Sequence, residues 1–240
     1  MITGVAGGLG RLLALHFADD GYHVIGLDVK PEHSLDVDLK DSLKDYIQFD
    51  LRKIAEIENT IHQIFVKHTH IELLINNAGI LNFKLLHEYE VKEIQDMFSV
   101  NLTSVAVFVK VFLPYMVHQK FGRIINVSST SAFQGEDKFG VYSPTKSGLM
   151  MLSESIGKLI ENKLKGDITI NSINPNRINT PEYIKENPGI KPSTLISSKT
   201  VYKKIIRIIN SKVNGAAFPI FSFGLRIKYT FNFIRKLFFS

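Results

Sequence analysis

"TGVAGGLG", residues 3 to 10, sets Gly4, Gly8 and Gly10 between a short apolar start and a run of helical period. Glycine reaches backbone conformations closed to other residues, so such a stretch can turn sharply and bring its amides close to a ligand. A helix opening directly from the turn leaves its first amides unpaired, and an anion can meet them there. The stretch therefore predicts a strand, a turn and a helix at the head of an α/β fold.

Working outward, apolar β-branched runs alternate with longer segments of helical period. Strands are expected at 22–28, 46–50, 71–76, 122–128, 167–174 and 216–221, and helices near 9–20, 53–69, 91–119, 142–164 and 198–211. The strands are unbroken apolar runs, as in a parallel sheet covered on both faces. This predicts one doubly wound parallel sheet with helices on both faces, whose ligand crevice lies beyond the carboxyl ends of the strands. Its first strand is truncated, because only Met1 and Ile2 precede Thr3.

Eighteen residues after Gly10, Asp28 ends the next strand. A carboxylate there can accept hydrogen bonds from the ribose hydroxyls of adenosine and would repel an added phosphate. NAD is the expected cofactor, with NADP less favoured.

At 240 residues and 45% hydrophobic content, the chain suffices for one sizeable core. The absence of cysteine excludes disulfides, thiolate zinc sites and a cysteine nucleophile, and no metal site is expected. Residues 1–10 lack the features of a secretion signal, and a cytoplasmic protein is expected. The net charge of +6 is uneven: from residue 185 onward eleven Lys and Arg stand against one acid, Glu186. That asymmetry suits an anionic partner or a solvated basic face. The cations form no recognisable nucleic-acid module, so no nucleic acid is expected.

The stretch "GVYSPTKSG", 140–148, places Tyr142 and Lys146 four residues apart at a helix start. Residues at that spacing share a face, and an ammonium beside a phenol favours the phenolate. Pro144 is tolerated because it falls in the first turn.

Taken in order, Thr3-Gly4 with Gly8-Leu9-Gly10, Asp50-Leu51, Asn77-Ala78-Gly79 in "NNAG", Asn101, Ser129 and the Tyr142/Lys146 pair resemble the short-chain dehydrogenase/reductase family over roughly residues 3–213. The separation of thirteen between Ser129 and Tyr142 also matches the family. The resemblance implies a Rossmann-type fold and an NAD(H)-dependent enzyme interconverting a secondary alcohol and a ketone. Tyr142 would be the general acid/base, Ser129 would hold the substrate oxygen, Lys146 would serve the phenol and the nicotinamide ribose, and Asn101 would hold a water in a proton relay. The residues named above from Thr3 to Gly79, with Asp28, Tyr142 and Lys146, would contact the cofactor, as would Pro175 and Thr180. A homodimer or homotetramer is also implied.

The chain departs from the family pattern at "NPNRINT", 174–180, where Asn176 replaces a glycine; Asn tolerates positive φ, which would preserve the loop. Loops at 81–90, 130–140 and 178–197 are expected to set the substrate. The main domain is expected over 1–224. The tail, 225–240, carries four cations, no anions and many large apolar residues. Such a tail fits peripheral membrane contact or packing on a partner subunit. Two alternatives stand beside the main reading: a 3-oxoacyl thioester reductase acting on an acyl carrier protein, and a catalytically silent binding protein of the same fold.

Overall fold

The computed structural model describes residues 1–222. The chain runs β1 (Ile2–Thr3), α1 (Gly8–Asp19), β2 (Val24–Asp28), α2 (Val37–Ser42), β3 (Leu43–Gln48), α3 (Ile57–Lys67), β4 (Leu73–Asn76), α4 (Val91–Phe98), α5 (Ser104–Gln119) and β5 (Phe121–Val127). It continues through α6 (Tyr142–Lys163), β6 (Asp167–Pro175), β7 (Ile178–Asn179), α7 (Pro181–Glu186), β8 (Ile196–Ser197), α8 (Ser198–Ile209) and β9 (Ala217–Ile220).

A seven-stranded sheet in the order β3-β2-β1-β4-β5-β6-β9 carries the fold, and its pairs are parallel. Successive strand residues point to opposite faces, which explains the unbroken apolar runs. Leu74, Ile124 and Ile170 enter one core layer with α3, α5 and α6. Ile75, Ile125 and Ile173 enter the other, with α1, α2 and α8. Both faces are thus covered, as expected for a doubly wound sheet.

The truncated first strand sits at the middle of this sheet. Ile2 and Thr3 pair with Gly26 and Leu27 of β2, and Ile2 pairs with Ile75 of β4. Met1 extends the ladder: its amine donates to the Leu73 carbonyl at 2.7 Å, and its carbonyl accepts from Ile75 N at 2.9 Å. The backbone groups a stub would orphan are therefore met in part by the first residue itself.

Some elements escape the sequence pattern. α2 lies in a stretch read as loop, where Arg11 bridges Asp36 and Asp38 at its start. β3 begins earlier than its apolar residues suggest, because Lys44 and Asp45 belong to an edge strand. The helix expected over 91–119 is interrupted by a π turn, Ser99–Thr103. Its span is long and apolar enough to cross a membrane by composition. In this fold Val105, Phe108, Val109, Phe112 and Met116 are instead buried in the core. The basic aromatic tail, 225–240, lies outside the described residues.

Candidate active site

The glycine turn is built by close approach. Gly4 has φ +72°, and a Cβ there would fall 2.8 Å from Ala78 Cα. A Cβ on Gly10 would fall 2.0 Å from the Gly4 carbonyl oxygen, so only glycine lets α1 start this near β1. Gly8 has φ +53° and faces open space. Behind the turn, Thr3 Oγ1 accepts hydrogen bonds from the amides of Asn77 and Ala78 at 3.0 and 3.1 Å. Asn77 Nδ2 donates back to the carbonyls of Thr3 and Gly4 at 3.0 and 3.2 Å. These bonds join the end of the stub strand to the end of β4.

A cleft of about 670 Å³ opens at the carboxyl ends of the strands, on the crevice side. Of the residues expected at the site, Gly4, Gly8, Leu9, Asp28, Asp50, Leu51, Asn77, Ala78, Gly79, Ser129, Tyr142, Lys146 and Pro175 line it. Thr3, Gly10, Asn101 and Thr180 do not; they shape it from behind. Thr180 is buried and caps α7, accepting from Tyr183 N at 3.2 Å. Asn101 is fully buried in the π turn, where its amide clamps Ile80: Oδ1 accepts from Ile80 N at 2.8 Å and Nδ2 donates to Ile80 O at 2.9 Å. The side chain of Asn101 is thereby engaged in holding the "NNAG" loop.

An open glycine face, uncapped α1 amides and a strand-end carboxylate fit a dinucleotide. Gly7 at the start of α1 offers no side-chain cap, so the first amides stay available to a diphosphate. Asp28 Oδ2 accepts from Ala6 N at 2.9 Å, and Oδ1 accepts from Lys30 N at 3.1 Å, which fixes the carboxylate at the cleft edge. Arg52 holds Asp50 with bonds of 2.6 to 3.0 Å and keeps its carboxyl below the usual range.

Ser129 and Tyr142 line the same cleft, and the Ser129 hydroxyl acts to lower the Tyr142 pKa. Lys146 is buried, its Nζ lying 5.5 Å from the Tyr142 ring centre and donating to the Val127 carbonyl at 2.9 Å. The expectation that the ammonium lowers the phenol is corrected here. Burial pushes Tyr142 up to about 12, and the Ser129 hydroxyl offsets this only in part. Burial likewise pushes Lys146 down to about 8. The amine sits over the ring face and bonds the Val127 carbonyl, and desolvation penalises both charged forms. The phenol is held as the proton-bearing acid.

Asn176 also corrects an expectation. Lys120 is the non-glycine residue with positive φ among those described, so Asn176 does not imitate glycine. Its Nδ2 donates to Thr130 Oγ1 at 2.9 Å and its Oδ1 accepts from Arg177 N at 2.8 Å, holding the loop by side-chain bonds.

The cleft also contains Lys30, Arg52 and Ile80, which the motifs did not name, with Leu81 and Glu182 from the loops expected to set the substrate. Each sits within a few positions of a recognised motif, a signal that could have found them. Glu182 is the least expected: a Cβ on Gly7 would lie 3.4 Å from its Oε1, so a carboxylate borders the start of α1.

A doubly wound sheet carrying a glycine cradle and a Ser/Tyr/Lys set at its strand ends defines a dinucleotide-dependent oxidoreductase. The family model described as short chain dehydrogenase matches residues 1–190, and the chain belongs to that family. It is 31% identical over 184 residues to an uncharacterized oxidoreductase, YxjF, of Bacillus subtilis, covering 75% of this chain and 70% of that one. It is 32% identical over 186 residues to the 3-oxoacyl-[acyl-carrier-protein] reductase FabG of Buchnera aphidicola, covering 75% and 72%. Among solved structures, ElxO with NADP bound superposes with a TM-score of 0.80 at 25% identity, covering 91% of this chain and 95% of that one. A 4-hydroxyisoleucine dehydrogenase complexed with NADH shares the fold, with a TM-score of 0.81 at 22% identity, covering 92% and 96%.

Proposed function

We propose that this protein is an NAD(H)-dependent oxidoreductase interconverting a secondary alcohol and a ketone. The observation that carries the reading is Ser129 and Tyr142 lining one glycine-lined cleft, with the buried Lys146 amine 5.5 Å from the Tyr142 ring centre. A bound nicotinamide would supply hydride to the substrate carbon, or remove it. Tyr142, kept protonated by burial, gives its proton to the carbonyl oxygen in the reducing direction and takes one back in the other. Ser129 donates to the same oxygen and orients it. Lys146 braces the ring from below, and Asn101 fixes the loop that borders it. Asp28 supports NAD over NADP, because a fixed carboxylate at the ribose edge disfavours a second phosphate there. A cytoplasmic, self-associating enzyme is part of the same reading; exposed Met151 and Leu159 of α6 offer an apolar face for a second copy.

A second reading, reduction of a 3-oxoacyl thioester, is supported by the similarity to FabG and by exposed Lys199, Lys203 and Arg207 along α8, which suit an acidic carrier. The deciding experiment titrates NADH and NADPH against the purified protein, then assays ketones, alcohols and an acetoacetyl thioester. Failure to bind either nicotinamide would overturn both enzymatic readings.

A further inference from the structure

The carbonyl site continues on one side into apolar side chains. Phe139 packs its ring 5.7 Å from that of Tyr142, and Phe83, from the loop after β4, packs 5.3 Å from Phe139. The three rings form a row leading outward from the phenol. Phe83 is 56% exposed and Leu86 59% exposed, and Leu86 stands beside Gly140, next to Phe139. Leu81 carries the same apolar character into the cleft. Lys84, the cation between these residues in sequence, is tied to Glu93 at 2.7 and 2.9 Å and lies over the Tyr89 ring. It is therefore engaged, and a substrate anion would have to displace Glu93 to reach it.

We propose that this row is the substrate subsite, and that the enzyme acts on ketones or secondary alcohols bearing an aryl or alkyl group on the reacting carbon. Phe139 is the specificity-determining residue. The inference rests on Tyr142 as proton donor. With the carbonyl oxygen held by Tyr142 and Ser129, one substituent projects along Phe139 toward Phe83. An apolar group there leaves water and meets ring faces and edges that are otherwise exposed. An open apolar patch continuous with a few converging polar groups has the make-up of a ligand site. A small polar or anionic substituent gains nothing from these rings. In the reducing direction the carbonyl carbon takes hydride from NADH, which leaves as NAD⁺, and the oxygen takes the Tyr142 proton.

The test measures kcat/KM of the full chain with NADH for an aryl alkyl ketone, a straight-chain ketone, a hydroxyketone and a 2-oxo acid. The two apolar ketones should exceed the polar pair by at least about tenfold, the low end for an apolar specificity contact. Phe139→Ala should lower kcat/KM for the apolar ketones about tenfold, chiefly through KM, with NADH affinity kept and Phe139→Leu recovering part of the loss. Because Phe139→Ala touches Tyr142, Phe83→Ala, one ring further out, should show the same pattern at smaller size. A preference for the 2-oxo acid, or unchanged kinetics in both alanine variants, overturns the subsite and leaves the dehydrogenase reading in place. Unchanged kinetics with an altered assembly size also overturns it, assigning the rings to a subunit contact. Calorimetry of the aryl ketone with NADH-loaded Tyr142→Phe protein gives a readout free of turnover. Binding there that Phe139→Ala removes supports the subsite even if no carbonyl is reduced, an outcome that would remove the dehydrogenase reading alone. Absence of both binding and turnover removes both.

Discussion

Lys146 Nζ lies 5.5 Å from the centre of the Tyr142 ring and gives its hydrogen bond to the Val127 carbonyl. The lysine is thus a buried brace under a protonated acid. Tyr142→Phe should lower turnover at least about a hundredfold, the usual contribution of a general acid, with NADH binding kept because the ring stays. Lys146→Met should damage both, since the amine anchors β5 to α6 beside the cleft. Stopped-flow turnover with parallel NADH titration separates the two variants. More than a tenth of parental activity in Tyr142→Phe would move the acid elsewhere.

Asp28 receives the Ala6 and Lys30 amides and faces the cleft with its charge fixed. NADH should bind at least about tenfold tighter than NADPH, a difference of about 1.4 kcal/mol. Asp28→Ala should narrow that gap, measured by fluorescence titration of each cofactor. Equal affinities in the parent would remove the ribose assignment.

Glu182 borders the start of α1, where a diphosphate is expected. Two like charges at that spot oppose one another, so Glu182→Gln should tighten NADH binding about threefold or more at low salt, the gain shrinking as salt rises. An affinity indifferent to the substitution at low salt would mean that α7 moves clear before the cofactor enters.

Gly10 and Gly8 should differ sharply on replacement by alanine. The Gly10 Cβ would meet the Gly4 carbonyl oxygen at 2.0 Å, so backbone must shift, and a loss of about 1–3 kcal/mol or more follows. Gly8→Ala meets no atom within 4 Å and bears only the strain of φ +53°, about 1 kcal/mol. Urea denaturation of both variants checks the order; equal losses would contradict the close approach.

Burial of the Met1 amine lowers its pKa from 8.0 to about 5. Between those values the unfolded chain binds more protons than the folded one, so stability rises with pH. Below about 5 the penalty is fully present, and above about 8 it is gone. Urea midpoints at pH 5 and pH 8 should differ in that direction for the 240-residue chain, and acetylation of the amine should flatten the difference.

Much of the molecule was legible in the sequence because it rests on local rules. Glycine spacing announced the turn at Gly4 to Gly10, unbroken apolar runs announced a sheet covered on both faces, and the spacing of Tyr142 and Lys146 announced a shared helix face. Each depends on neighbours along the chain, where periodicity and backbone sterics act directly.

Only the tertiary structure decided what depends on groups distant in sequence. It carried the stub strand by joining Met1 to Leu73 and Ile75, and it turned the Asn101 side chain onto Ile80. It placed Phe83 against Phe139, from loops more than fifty residues apart. It also reversed the expected phenol shift: spacing fixes that Lys146 stands beside Tyr142, but the direction of a pKa follows from burial, which the assembled core imposes on both groups.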